Sequence, residues 1–270
     1  MRIAVLIKQV PAVDTVKIDE KTGTMVRDGV EAELNPLDLH AVEAAIRVVE
    51  SRPEGETSAV VVSMGPPLAK KAIAQAIAMG CTSGALISDR KFGGSDTLAT
   101  SRALAGALRK LGPFDLVFVG ERATDGETGQ VGPAVAELLG IPALTYVSSI
   151  EELTDGKIRV TRAVEDGTEE VESPLPAMVM PLKAMNSPRL CTLRGKLRAK
   201  TVEIPSYGAA DLDVPEEQLG LKGSPTQVIK INYPKMTRQG ARIAAVGRAE
   251  EAAAEILKFC EDKNCIGGER

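Results

Sequence analysis

Short apolar, β-branched runs alternate with longer amphipathic stretches through the first half of the chain. Ile3–Ile7, Ala59–Val62, Ala85–Ile87, Leu116–Val119 and Leu144–Val147 read as strands. Between them, apolar positions recur near a period of 3.6. The stripe Leu39, Val42, Ala45, Ile46 and Val49 predicts a helix, with Asn35 as N-cap, Pro36 at its first position and Asp38 in its first turn. A second helix is expected over roughly Leu68–Met79, stopped by Gly80. A third is expected over roughly Asp96–Leu111, capped by Ser95, and a fourth opens inside Asp125–Pro133 and stops before Gly140-Ile141-Pro142. Apolar strands alternating with helices predict an α/β fold, a mostly parallel sheet with helices on both faces. In such sheets ligands sit beyond the carboxyl ends of the strands.

The remaining pattern is less regular. Val16–Asp19 and Met25–Arg27 flank a glycine turn at Gly23 and read as a small hairpin. Lys157–Val164 and Glu169–Glu172 form a second hairpin around Glu165–Thr168, and prolines bracket a strand at Ala177–Met180. From Asn186 the periodicity fades. Tyr207–Lys235, rich in Gly, Pro and Asp, reads as an extended arm packed on a partner, and Arg242–Glu261 as a terminal helix.

Composition narrows the function. A net charge of −4 argues against general nucleic-acid binding, and the absence of Trp, with 3 Tyr and 4 Phe, leaves no base-stacking platform. No apolar stretch approaches the ~20 residues of a membrane span. The start Met1–Lys8 reads as a first buried strand rather than a signal peptide. Cys81, Cys191, Cys260 and Cys265 form no Cys-x-x-Cys pair, which points to reduced thiols in the cytoplasm and to no metal site. His40 is the single histidine and reads as structural, so triad chemistry has little to build on and no catalytic side chain is expected.

The run Asp125-Gly126-Glu127-Thr128-Gly129-Gln130-Val131-Gly132-Pro133 carries the candidate chemistry. A strand, a glycine-rich turn and a helix start make a cradle for phosphate, because backbone N–H groups and the helix dipole point at the ligand. Asn35–Asp38, Ser63–Pro66 and Phe92–Thr97 converge on the same sheet edge. Gly65 and Gly129 would admit backbone to a phosphate, while Thr128 and Gln130 would donate. Carboxylates repel phosphate, so Asp125 and Glu127 are expected to face a ribose hydroxyl or a helix-end N–H. Taken alone, each segment reads more readily as an ordinary capped βα turn. Neither Gly-x-Gly-x-x-Gly nor Gly-Lys-Ser/Thr occurs. Arg189–Lys200 holds Arg189, Arg194, Lys196, Arg198 and Lys200 without an acid, and reads as a solvated face or a docking surface for an acidic partner, with Leu190 and Leu193 as anchors.

Taken together, Ile7–Pro11, Val26–Val30, Asn35–Asp38, Met64–Pro67, Ala78–Gly80 and the nine-residue run resemble the beta subunit of electron transfer flavoprotein over nearly the whole chain. The family signature matches at Val160-x-Arg162-x-x-Glu165-Asp166-Gly167-x-Glu169-x-Val171 and Pro176-x-Met178-Val179, and departs at Met180, where the family has a small residue. The resemblance implies an adenine-nucleotide alpha-hydrolase-like domain over 1–185 with a small hairpin extension, a partner recognition loop over 186–200, and an arm and terminal helix over 201–270 on the alpha subunit, which carries its own FAD. It implies a nucleotide held by Leu6, Asn35, Pro36, Leu37, Asp38, Met64, Gly65 and the turn from Ala123 through Asp125, Gly126, Glu127, Thr128, Gly129, Gln130, Val131, Gly132 and Pro133. It also implies docking of an acyl-CoA dehydrogenase or quinone oxidoreductase through Leu193, with Arg189, Arg194 and Lys196.

The nucleotide is FAD in electron-bifurcating members and AMP in ordinary ones. The runs Phe92–Thr100, Asp125–Pro133, Arg194–Lys196 and Gly223–Val228 resemble bifurcating members, which adds Phe92, Gly94, Asp96, Thr97 and Thr100 to the expected site. That reading implies NADH as hydride donor and ferredoxin or flavodoxin as one electron acceptor. Two other readings stay open: a structural AMP-binding subunit, and a stand-alone ATP-binding stress-type protein.

Overall fold

A computed structural model describes residues 1–12, 32–229 and 242–266. The hairpin expected over Val16–Arg27 lies outside the described residues. The chain divides into two compact units, Met1–Ile229 and Lys230–Arg270.

The first unit begins with β1 (Arg2–Ile7), β2 (Gln9–Pro11) and β3 (Ala32–Leu34). There follow α1 (Asp38–Glu50), β4 (Ser58–Met64), α2 (Lys70–Met79), β5 (Ser83–Ile87), α3 (Thr97–Leu111), β6 (Leu116–Val119) and α4 (Val131–Leu139). The unit continues through β7 (Ala143–Leu153), β8 (Lys157–Val164), β9 (Gly167–Pro174), β10 (Ala177–Pro181), α5 (Leu193–Thr201) and β11 (Ser206–Tyr207). Among the described residues nine strands form one sheet in the order β11-β5-β4-β1-β6-β10-β7-β8-β9, while β2 and β3 make a separate antiparallel pair. Pairing is parallel from β11 to β7 and antiparallel from β7 to β9.

Strand alternation splits the core in two. Ile3, Val5, Leu116, Phe118, Ala177 and Val179 face α1 and α2; Ala4, Leu6, Val117, Val119, Met178 and Met180 face α3 and α4. A sheet covered on both faces needs apolar residues at every strand position, which is why these segments read as continuous runs. On the outer hairpin, Arg159–Glu170, Arg162–Glu169 and Lys157–Glu172 pair across β8 and β9 at 2.7–2.8 Å and keep that edge charged.

Several elements depart from the sequence reading. Asn35 does not cap α1 with its side chain; the helix starts at Asp38, and the Asn35 carbonyl accepts the Asp38 and Leu39 N–H groups. Asp96, not Ser95, caps α3, accepting the Leu98 and Ala99 N–H groups at 3.0 Å, while the Ser95 hydroxyl donates to the Phe92 carbonyl. Helix α5 forms where periodicity was expected to fade. The Thr192 hydroxyl caps it at the Gly195 N–H, and the Arg198 guanidinium donates to the Ile77 and Cys81 carbonyls at the end of α2. Its inner face is built from Gly195 and an arginine stem rather than large apolar residues, so hydropathy hides it. Residues 207–229, expected in an extended arm, belong instead to the first unit, with Ala209, Leu212 and Leu219 buried in the α3 and α4 core. The second unit holds α6 (Ala249–Asp262), which leaves Ile256, Leu257 and Phe259 half-exposed. No described helix is long and apolar enough to cross a membrane.

Candidate functional site

Strand β1 pairs with β4 on one side and β6 on the other, and the chain reverses its direction of travel across the sheet there. The turns leaving β1 and β6 therefore part and leave a groove between them. Leu6, buried between Val62 and Val119, lies in the groove's floor.

Asn35 organises this edge. Fully buried, it donates from Nδ2 to Asp38 Oδ1 at 2.8 Å and to the Arg122 carbonyl at 2.9 Å, and its Oδ1 accepts the Thr124 N–H at 3.2 Å. One side chain thus fastens the start of α1 to the turn after β6. Asp38 completes the fastening: its Oδ2 accepts the Lys8 N–H at 2.7 Å. Burial pushes the Asp38 carboxyl up to about 7, against the lowering pull of Asn35 and Lys8. Gly120 makes this close approach possible, since a Cβ there would lie 2.1 Å from Asp38 Oδ1. Pro36 is exposed and Leu37 half-buried at the rim.

Among the described residues Asp125 meets no helix-end N–H; it accepts from Lys8 Nζ at 2.7 Å. Glu127 likewise pairs with Arg122, whose Nε lies 2.8 Å away, and Glu121 takes the other side of the same guanidinium. These carboxylates hold Arg122 further toward its charged form than usual.

The phosphate cradle is narrower than the sequence suggests. Gly65 donates its N–H to the Ile87 carbonyl, so that group is committed to the sheet. Beyond β6, the Gly126 and Glu127 N–H groups both return to the Ala123 carbonyl. The N–H groups of Thr128, Gly129, Gln130, Val131 and Gly132 have no acceptor among the described residues. Gly129 takes φ +62, and Gly132 lets α4 press on Met180 and Val119, where a Cβ would come within 2.8–3.0 Å. A row of outward N–H donors at a helix start is the donor set a phosphate or pyrophosphate requires, so these residues fit a phosphorylated nucleotide. The Thr97 hydroxyl reaches Gln130 Oε1 at 3.0 Å and joins α3 to this row.

The rest of Phe92–Thr100 is organised differently. Phe92 is buried in the core, and Gly94, at φ +75, packs against Leu221. Asp96 Oδ2 accepts the Thr226 N–H and hydroxyl at 3.1 and 2.8 Å, beyond its cap bonds, so both oxygens are engaged. Burial would raise this carboxyl, but those donors outweigh it and hold it below the usual range. Thr100 stands half-buried one turn into α3, its N–H bonded to the Asp96 carbonyl.

Sequence reasoning did not single out Lys8, Gly120, Arg122 or Tyr146 as site residues. Gly120 alone carried a local signal, a glycine directly after an apolar strand. Tyr146 lines a cavity of about 400 Å³ with Arg122, Glu127, Thr128, Gly129 and Pro133. Its φ of +56 is one an aromatic residue rarely adopts and costs roughly 1–3 kcal/mol.

On the opposite helical face, Arg189 is not a free docking charge. It holds Glu43 Oε2 at 2.8 Å and also pairs with Glu50, both on α1. Burial raises the Glu43 carboxyl, but hydrogen bonds from Arg189 and Arg47 outweigh it and keep it ionised. Leu190, Leu193 and Leu197 are exposed, as are Arg194 and Lys196, which make no ion pair among the described residues. His40 is buried, its Nδ1 3.0 Å from the Asn186 carbonyl oxygen. Burial pushes the Cys81 thiol up to about 12, which makes it inert.

The strand reversal and the open turn at α4 define a doubly wound α/β protein with a ligand groove at the reversal. The family model described as electron transfer flavoprotein domain matches residues 22–212. The chain is 41% identical over 267 residues to the electron transfer flavoprotein subunit beta of Clostridium acetobutylicum, covering 98% of this chain and 100% of that one. It is 40% identical over 266 residues to the caffeyl-CoA reductase-Etf complex subunit CarD of Acetobacterium woodii, covering 98% and 100%. It is 38% identical over 268 residues to protein FixA of Azorhizobium caulinodans, covering 96% and 94%. The chain belongs to the electron transfer flavoprotein family.

Proposed function

We propose that this chain is the beta subunit of an electron-bifurcating electron transfer flavoprotein and that its groove binds FAD. The observation that carries the reading is the row of N–H groups from Thr128 to Gly132, whose span suits a pyrophosphate. Bound there, FAD would supply the redox chemistry, with NADH as hydride donor and, as electron acceptors, the alpha-subunit FAD with a quinone or acyl-CoA branch and ferredoxin or flavodoxin. The protein's part is to bind and orient. Asn35 and Asp38 fix the turn that carries the donors, with Leu6 in the groove's floor and Met64 at the carboxyl end of the neighbouring β4. Asp125, paired with Lys8, is the group offered to a ribose hydroxyl. On this reading no side chain of this chain need act as a classical acid or base.

The working form is a heterodimer with an alpha subunit, in the cytoplasm. Leu193, Arg194 and Lys196 on α5 form the docking face for an acyl-CoA dehydrogenase or quinone oxidoreductase, while Arg189 anchors that face to α1. The second reading, structural AMP, is favoured by one observation: Asp96 and Gly94 are engaged with residues 221–226 and so are withdrawn from a ligand extending past the adenylate. Nucleotides released from the denatured, purified heterodimer decide between them. Two FAD per heterodimer is the expected result; one FAD with one AMP overturns bifurcation.

A further inference from the structure

The groove accounts for Asn35–Asp38 and for one side of the turn at Thr128–Gly132. It does not account for the hollow on the other side, at the carboxyl ends of β6, β10 and β7. Its volume of about 400 Å³ is in the range of small-ligand sites. Its wall is peculiar. Leu144 pairs with Val179 and Val147 with Pro181, so β7 carries one more residue than β10 over this stretch. That extra residue drives Tyr146 to φ +56, with half of its surface left exposed. The phenol makes no hydrogen bond among the described residues. Glu127, across the cavity, also has φ +56. Among the described residues only three non-glycine positions have positive φ, and two of them line this one cavity. Left-handed backbone at bulky residues persists where the surroundings fix it, and it gathers at ligand clamps.

The chemistry of the wall names a ligand class. Tyr146 offers a half-exposed aromatic side chain, and Met180 and Pro133 complete the lining. Arg122 offers a guanidinium whose partner Glu127 is well exposed, at 61% of its side chain, and can be exchanged for a carbonyl or anionic edge. A flat heteroaromatic ring with a carbonyl edge answers both features. Glu127–Gly129 line the cavity and lead directly into the N–H row, so a ligand whose pyrophosphate lies on the row reaches the cavity with its other end.

We propose that the cavity receives the non-adenine ring of a dinucleotide, stacked on Tyr146 with Arg122 at its carbonyl edge, and that Tyr146 thereby selects dinucleotide over mononucleotide. This rests on the reading that the Asp125–Pro133 turn holds the adenylate half. Base–aromatic stacking sets the scale of the selection, about five- to hundredfold in affinity.

Tyr146→Gly tests it well, because glycine accepts φ +56 freely and the fold is relieved rather than strained. In the heterodimer, Tyr146→Gly is expected to raise the FAD dissociation constant of this subunit about five- to hundredfold while leaving that for AMP within about twofold. Tyr146→Phe, which keeps the ring, is expected to retain FAD with a near-native flavin absorption band and fluorescence. Two FAD in both wild type and Tyr146→Gly, with an unchanged flavin spectrum, overturns the role of Tyr146 alone. One FAD and one AMP in the wild type overturns the dinucleotide reading together with it. A Tyr146→Gly chain that no longer joins the alpha subunit assigns the ring to the subunit interface and overturns it as well.

Discussion

Asp38 makes the stability of this protein depend on pH in a direction opposite to that of most carboxylates. Its carboxyl is raised from 3.8 to about 7 because it is buried at the start of α1 under Gly120. Between those values the native state holds a proton that the unfolded chain has released, so stability falls as pH rises, by about 1.4 kcal/mol per unit. The full contribution is present below the unfolded value and is lost as pH climbs through about 7. Over the whole window this amounts to about 4 kcal/mol, and from about pH 5 to about pH 7 to roughly 2–3 kcal/mol. Asp38→Asn removes the titration. It also sets an amide against a donor it formerly met with an oxygen, Asn35 Nδ2 or the Lys8 N–H, costing about 1–3 kcal/mol at low pH. Urea unfolding of both proteins at several values from about pH 5 to about pH 8 measures the difference. The wild type should lose stability relative to Asp38→Asn by roughly 2–3 kcal/mol as pH rises, leaving the two close near neutrality. Parallel curves for the two proteins would refute the buried carboxyl.

Two further substitutions separate anchoring from docking on α5. Gly195→Ala places a Cβ 2.0 Å from the Ala78 carbonyl oxygen, which must push α5 off α2; a loss of about 1–3 kcal/mol in unfolding free energy is expected, and unchanged stability would mean that the two helices are not in that contact. Leu193→Ala removes an exposed side chain and should leave stability within about 0.5 kcal/mol and bound nucleotide unchanged, while slowing electron delivery to the acceptor in stopped-flow assays. Loss of nucleotide instead would move Leu193 from docking to folding.

The parallel sheet was legible because strands buried on both faces cannot hide: Ile3–Ile7 and Leu116–Val119 must be apolar throughout. The starts of α1, α2 and α3 were legible to within a residue or two, whereas α6 starts at Ala249 rather than at the expected Arg242, and the choice of cap was not legible. Ser95 and Asp96 are both capable caps, and only the tertiary contact with residues 224–226 separates them. Asn35 carries the local signal of a cap, yet its side chain serves a turn 87 residues away in sequence. Helix α5 escaped because its packing depends on a missing side chain, Gly195, and on Arg198 reaching carbonyls of α2. Tyr146 had no signal at all: the extra residue in β7 is an offset against β10, a strand that comes later in the chain. Of the candidate site, the Asp125–Pro133 turn could be read as a segment, whereas the groups packed around it (Lys8, Gly120 and Arg122) are defined by proximity alone.

Helix α1 joins two features that were described apart. Its first residue, Asp38, is bound through Asn35 to the turn after β6, and its later residues, Glu43 and Glu50, grip Arg189 just ahead of α5. Thirteen residues of α-helix make a strut of about 20 Å. The span between the groove beyond β1 and β6 and the start of α5 is therefore set by a rigid rod, not by loop conformation. On the proposed reading, a partner seated on α5 and a nucleotide seated in the groove would meet the protein at two ends of one fixed gauge, and their separation would be built into the backbone.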